Sequence, residues 1–296
     1  MRENSPDITE QSEVFEFIRI GEIIDQALQK KTTKENSFDG LSTGFFEIDK
    51  VISGLQKGQL ITIAVRPGMG KTAFLLSMAN NIAIRNNNSI AIFSSERSSL
   101  KITNRIIESE TGMSVGKLKS SDISHFEKDH LNDIINNIAK AKIFLDDTPS
   151  ISVEELVKKS RQLKCIHNVD LIVIDYLELL STYSSSDNGR EEQLNTIVHT
   201  LKSIAEELNI PIVLFSQLQG LGLEYNFSKK PSITDIPVVL SEISDVVMFL
   251  HRYDFIGKAG RKSENVEMII ARHDNQNKDT VVPLKYLETI AKFANS

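Results

Sequence analysis

An α/β fold, with a doubly wound, mostly parallel sheet and helices on both faces, is predicted by three features of the sequence. Four short β-rich runs are spaced between residues 59 and 218, with amphipathic helical stretches between them. Three of the four are almost continuously apolar, the pattern of strands covered on both faces. A Gly-rich turn, "RPGMGKT" (66–72), stands directly between the first of these strands and a helical run. Sheets of this class hold phosphates at such a turn.

Residues 1–12 are polar and are expected to be a disordered tail. Residues 13–31 place Val14, Phe15, Ile18, Ile20, Ile23, Ile24, Ala27 and Leu28 largely at helical spacing. This predicts a helix that either packs on its own domain or docks as an arm on a neighbour. Polar "TTKENSFDG" separates it from the main domain, residues 32–296. "QLITIAV" (59–65), "SIAIFSSE" (89–96), "VDLIVIDYL" (169–177) and "IPIVLFSQL" (210–218) are the predicted strands. "ITNRIIESETG" and "EEQLNTIVHTLKSIAEELN" are the clearest helices between them. Ser-rich "STYSSSDNGR" (181–190) reads as a mobile loop. "SDVVMFLHR", "NVEMIIARHD" and "TVVPLKYLE" are β-like and are expected to extend the same sheet.

Bulk properties narrow the function classes. The chain has 296 residues, 40% hydrophobic and 25% charged, as in an ordinary globular protein. No apolar run approaches the roughly 20 residues of a membrane helix, and the N-terminus lacks the apolar core of a secretion signal; a cytoplasmic location is expected. The lone Cys165 cannot form an internal disulfide and is expected to be a packing residue, and no Cys/His spacing suggests zinc. A net charge of −6 argues against a surface coated in basic residues for gripping duplex DNA, while leaving room for a narrow basic channel.

The chemistry-bearing residues cluster at predicted strand ends. Gly68 and Gly70 would let the backbone approach phosphates, Lys71 would reach the β and γ phosphates, and the Thr72 hydroxyl would ligate Mg²⁺. Arg66, Pro67, Gly68, Met69, Gly70, Lys71, Thr72 and Ala73 form the candidate ATP-binding set. The strict G-x-x-x-x-G-K-[ST] pattern of a Walker A cradle is not met, because Val65 stands at the first glycine position. Asp175 ends a buried strand, where a carboxylate can hold the Mg²⁺ shell. Glu96, at the end of the next strand after the cradle, is placed to polarise an attacking water from a neighbouring parallel strand. Gln217 ends the fourth strand with an amide able to sense the γ-phosphate. Each alone has a bland reading as a strand-end polar residue; together they predict ATP and Mg²⁺ binding.

At this level of detail the chain resembles the C-terminal, RecA-like motor domain of the DnaB-type replicative DNA helicases. The resemblance rests on "GLSTGFFEIDKVISGLQKGQLITIAVRPGMGKTAF", "FSSERSS", "FLDDTPSIS", "VDLIVIDYLELL", "LKSIAEELNIPIVLFSQL" and "DVVMFLHR", all collinear. It implies an ATPase assembled as a homo-oligomeric ring, usually a hexamer, with ATP between neighbouring domains and Mg²⁺ required. It also implies translocation on single-stranded DNA, Glu96 as catalytic base, and residues 13–31 as a linker helix packed on the adjacent subunit. Primase, a helicase loader or a separate N-terminal domain are the implied partners.

Three departures accompany the resemblance. Residues 1–296 are not expected to include the family's N-terminal collar domain, whether the protein is a shortened relative or part of a longer chain. The central segment "TDIPVVLSEISDVVMFL" (234–250) is shorter than the family's and contains no basic residue, so a loop reading "IPVVL" offers few donors for DNA phosphates, although Lys229 and Lys230 lie just upstream. In "IIARHDNQNKD", Arg272 takes the place of the family's lysine and Asp274 that of its arginine finger, leaving Arg272 as the candidate substitute. The competing expectation is therefore a helicase-derived ATP-binding protein that regulates or assembles with a helicase without unwinding. A recombinase-like or clock-like ATPase of the same fold shares the cradle but not the collinear motifs.

Overall fold

The computed structural model describes residues 39–118, 125–181, 189–218, 229–252, 265–273 and 276–296. The expected tail 1–12, the helix 13–31, most of the loop 181–190 and Asp274 lie outside the described residues. Phe38–Ser296 form one compact unit.

Its centre is a sheet in the order β3-β2-β4-β5-β1-β6-β7-β8-β9. The strands are β1 (Leu60–Val65), β2 (Ile90–Ser94), β3 (Ile143–Asp146), β4 (Leu171–Asp175), β5 (Ile212–Gln217), β6 (Val246–Arg252), β7 (Asn265–His273), β8 (Gln276–Leu287) and β9 (Lys292–Asn295). The first six pair in parallel. The last three extend the β6 edge antiparallel, as expected for one continued sheet rather than a second domain.

Alternation along the strands builds two cores. Leu171 and Val173 face one apolar layer with Ile61, Ile63 and Phe215; Ile172 and Ile174 face the other with Leu60, Phe93, Ile212 and Leu214. Helices α1 (Phe46–Ile52), α2 (Lys71–Asn80) and α3 (Ser99–Thr111) cover the first layer. Beyond α3 come α4 (Val115–Leu118) and α5 (His125–Lys140). Helices α6 (Val153–His167), α7 (Arg190–Leu208) and α8 (Val238–Ile243) cover the second layer. Helices on both faces are what a parallel sheet with continuous apolar strands requires.

The helix that leaves the cradle has no polar face. Every residue of α2 from Thr72 to Asn80 is buried, because strand β9 and α1 wrap its outer side. Phe74 stacks on Phe45 at 5.0 Å and meets the Phe293 ring edge-on at 5.6 Å. The Phe293 backbone N–H donates to Ser77 Oγ at 2.9 Å, and Lys292 pairs with Glu110 at 2.8 Å. The C-terminal strand therefore holds the cradle helix from behind.

Two expectations are corrected. The "IPVVL" stretch is not an exposed loop: a 3₁₀ turn (Ile233–Asp235) leads into α8, and Ile236, Val239 and Leu240 are buried in the second core. These three pack in the core while Pro237 and Val238 stay exposed, and Ser232 and Asp235 close a capping box ahead of them. Cys165 lies exposed on α6, so it is not a packing residue. Among the described residues, no helix is long and apolar enough to cross a membrane.

Candidate nucleotide site

Strand β1 ends at Val65, and the turn that follows is shaped by two glycines with positive φ, Gly68 at 77° and Gly70 at 100°. A Cβ at Gly70 would also meet the Phe293 ring at 3.0 Å. Residue 70 must therefore be glycine on two grounds, backbone conformation and space. Met69 is buried in the core and its N–H donates to Arg66 O, which closes the turn. Helix α2 starts at Lys71, so its first N–H groups face the turn, the usual setting for an anion.

Lys71 Nζ is the hub of the site. It donates to Glu96 Oε2 at 2.8 Å, lies 2.7 Å from Asp175 Oδ1 and sits 3.7 Å from the Tyr176 ring centre. The approach to Asp175 is an ion pair without a well-aligned hydrogen bond, so the buried Oδ1 keeps no aligned donor. Sheet order differs from the expectation here. Strands β4 and β5 separate β2 from β1, so Glu96 is not on a strand neighbouring the cradle's. The chain crosses over two strands after α2, a step that sequence order does not reveal. Register closes the gap: Ser94 lies opposite Asp175, and the residues just past β2 bring Glu96 beside it.

The two carboxylates are tuned in opposite directions. Burial pushes Glu96 up, but the Lys71 hydrogen bond and charge, with Arg97 and Arg105, outweigh it and hold the carboxyl below the ordinary range. Asp175 is only 2% exposed. Burial dominates there and raises its pKa, with Lys71 opposing and the Glu96 charge adding to the rise.

A cleft of about 370 Å³ gathers these groups. Arg66, Pro67, Gly68, Gly70, Lys71, Thr72, Ala73, Glu96 and Gln217 line it, so most of the residues singled out in the sequence meet in one place. Asp175 is reached through Lys71 from beneath, and Met69 supports the turn from the core. Arg66 also donates to the Lys229 carbonyl at 2.7 Å. Lys230 pairs with Glu267 at 3.0 Å. Arg272 is not among the lining residues; its guanidinium donates to the carbonyls of Ser241 and Glu242 at the end of α8.

The donor set fits Mg²⁺ with a nucleotide. Thr72 offers a hydroxyl at the helix start, and Asp175 offers a buried oxygen with no aligned donor. Among the described residues there is no cluster of three His, Cys, Asp or Glu that could hold a metal alone.

Sequence reasoning missed Arg97, Arg105, Tyr286 and Ala291, which also line the cleft. Tyr286 and Ala291 arrive through the antiparallel extension of the sheet, and no local motif marks them. A smaller cavity of about 270 Å³ adjoins, sharing Ala73, Arg105 and Ala291. Glu178 was missed as well: its Oε1 accepts from Ser216 Oγ at 2.6 Å and from the Gln217 N–H at 3.0 Å. In "DYLELL" it reads as a polar interruption of an apolar run.

Known proteins resemble this chain in sequence and in fold. Residues 40–295 match the family described as DnaB-like helicase C terminal domain. Over 264 residues the chain is 34% identical to the replicative DNA helicase DnaB of Geobacillus stearothermophilus, covering 88% of this chain and 58% of that protein. It is 33% identical over 270 residues to the replicative DNA helicase DnaC of Bacillus subtilis, covering 90% of this chain and 59% of that one. The chain thus spans under three fifths of the length of these relatives. Among solved structures, the ATPase domain of G40P superposes with a TM-score of 0.82 at 26% identity, covering 95% of this chain and all of that one. A DnaB-like replicative helicase, described with its interactions with primase, superposes at 0.78, covering 95% of this chain and 68% of that one. With the cradle, the two carboxylates and the strand-end glutamine gathered on one parallel sheet, and a family match from residue 40 to residue 295, the chain belongs to the DnaB-like helicase C-terminal domain family.

Proposed function

We propose that this chain is the ATP-hydrolysing motor of a replicative-type DNA helicase, working as a homo-oligomeric ring that moves along single-stranded DNA in the cytoplasm. The observation that carries the reading is Lys71, held between Glu96 and Asp175 in a cleft that Gln217 also lines. Lys71 is paired with both carboxylates. When it turns to the phosphates of ATP, Glu96 loses its strongest partner and gains proton affinity. Glu96 then takes the proton of the attacking water as general base. Thr72 and Asp175 would hold Mg²⁺, which supplies charge neutralisation for the phosphates.

Gln217 joins this cleft to a second one of about 440 Å³ lined by Glu178, Arg190, Asp235 and Pro237. It is the residue through which the presence of γ-phosphate reaches the far side of the sheet edge. Arg272, at the end of β7, is the candidate for completing a neighbouring subunit's site across the ring. Primase or a loader would meet the assembled ring.

A second reading keeps ATP binding but not unwinding. Two observations favour it: the Arg272 guanidinium is engaged by the α8 carbonyls, and three of the five "IPVVL" residues, Ile236, Val239 and Leu240, are committed to the core. Sedimentation with Mg²⁺ and ATP, followed by unwinding of a forked duplex, separates the two. Ring formation with strand displacement supports the motor; rings or monomers that bind ATP and displace nothing support the second reading.

A further inference from the structure

Strands β4 and β5 part company before β5 ends. Their pairing runs from Ile172 opposite Ile212 to Ile174 opposite Leu214 and stops there, whereas β5 continues along β1 to Gln217 opposite Val65. The last three residues of β5, Phe215, Ser216 and Gln217, therefore have a ladder partner on the β1 side only. On the β4 side the chain has turned away into a 3₁₀ turn, Leu177–Leu179. The Glu178 side chain reaches back from that turn and stands where the next ladder acceptor would be. One oxygen, Oε1, accepts both the Ser216 hydroxyl and the Gln217 N–H.

The other end of the turn is also tied. Arg190, the first residue of α7, donates to the Glu178 carbonyl at 2.9 Å and to the Leu180 carbonyl at 3.4 Å. Glu178, Arg190 and Gln217 line the same second cleft. Glu178 Oε2 is sealed from water and has no hydrogen-bond partner among the described residues. Burying a carboxyl this way is costly, and the Ser216 and backbone hydrogen bonds offset part of that cost. Burial pushes its pKa up, against the hydrogen bonds from Ser216 and the backbone.

We propose that Glu178 is a positioning residue: it fixes the end of β5 so that the Gln217 amide faces the nucleotide cleft, and it ties that end to the start of α7. The proposal deepens the motor reading and rests on it for the role of Gln217. Glu178 is not among the residues that line the nucleotide cleft; it acts through Gln217. Its removal should slow turnover without loosening ATP, because the cradle residues 66–73 are untouched.

The test uses the full chain with ATP and Mg²⁺ and three variants. Glu178→Gln keeps an acceptor oxygen; Glu178→Met keeps the volume and loses it; Glu178→Ala loses both. Loss of the acceptor should lower kcat by about tenfold while KM for ATP stays within about twofold. Glu178→Gln should restore kcat. Hydrogen exchange of the segment 212–218 should quicken in Glu178→Met and Glu178→Ala but not in Glu178→Gln. In the wild type, exchange there should fall when a non-hydrolysable ATP analogue is added, and this response should vanish in Glu178→Met. The proposal is overturned if Glu178→Met matches the wild type in kcat and exchange, or if exchange quickens while kcat holds. A wild type that hydrolyses no ATP would remove the motor reading, and the analogue-dependent exchange would still decide for or against Glu178.

Discussion

At Gly70 the backbone φ of 100° and the Phe293 ring at 3.0 Å from a would-be Cβ constrain the same residue twice. Gly70→Ala is expected to cost about 1–3 kcal/mol in a denaturant titration and to weaken ATP binding. Gly116, where a Cβ meets nothing within 4 Å, is the control. Gly116→Ala should leave stability unchanged or slightly raised. Equal midpoints for the two variants would contradict the account of the turn. The residues that make this site legible are those with local signatures: Gly68, Gly70, Lys71 and Thr72 sit in a recognisable turn between strand and helix. Asp175 and Gln217 are legible because each is the polar end of an apolar run. Arg105 and Tyr286 have no such signature; helix α3 and the antiparallel extension of the sheet bring them to the cleft, and Glu178 lines the second cleft beside it.

The strands buried on both faces are legible for a simple physical reason: they carry no polar face. Strand β3 is half-exposed along its length at the sheet edge, and β9 is four residues long, so neither shows a period in the sequence. The burial of Ile236, Val239 and Leu240 in "IPVVL" depends on a core assembled from elsewhere in the chain, so no local pattern marks it. Edge strand β3, whose Ile143, Phe144 and Leu145 are only partly buried, is also anchored by charge. Lys159 on α6 meets Asp146 at 2.7 Å, Glu155 at 3.0 Å and the Thr148 hydroxyl at 2.8 Å. Burial pushes Asp146 up, but the Lys159 and Thr148 hydrogen bonds hold it below the ordinary 3.8. Stability from this carboxylate is thus fully present above the unfolded value and is lost as pH falls through the lower, folded one. Lys159→Met should lower unfolding free energy by about 0.5–1 kcal/mol at neutral pH, with the gap closing in acid. A gap that stays constant with pH would contradict the ion-pair explanation.

Across the whole molecule, the sequence order of strands conceals the sheet order, and the site is assembled by crossovers that carry the chain past two strands. The same logic extends beyond one subunit. If Arg272 completes a neighbour's site, Arg272→Ala should leave ATP affinity unchanged and lower hydrolysis by about 10³-fold. Wild-type activity per mole should then rise with protein concentration as rings form. Hydrolysis independent of concentration, with Arg272→Ala as active as the wild type, would place the whole site within one chain.

The most direct measurement is steady-state ATP hydrolysis at low salt, with and without single-stranded DNA, beside Glu96→Gln. The account predicts hydrolysis that DNA stimulates and that Glu96→Gln abolishes while ATP still binds. Hydrolysis that is absent, or that neither DNA nor Glu96→Gln alters, would contradict a DNA-coupled motor built on Lys71, Glu96 and Asp175.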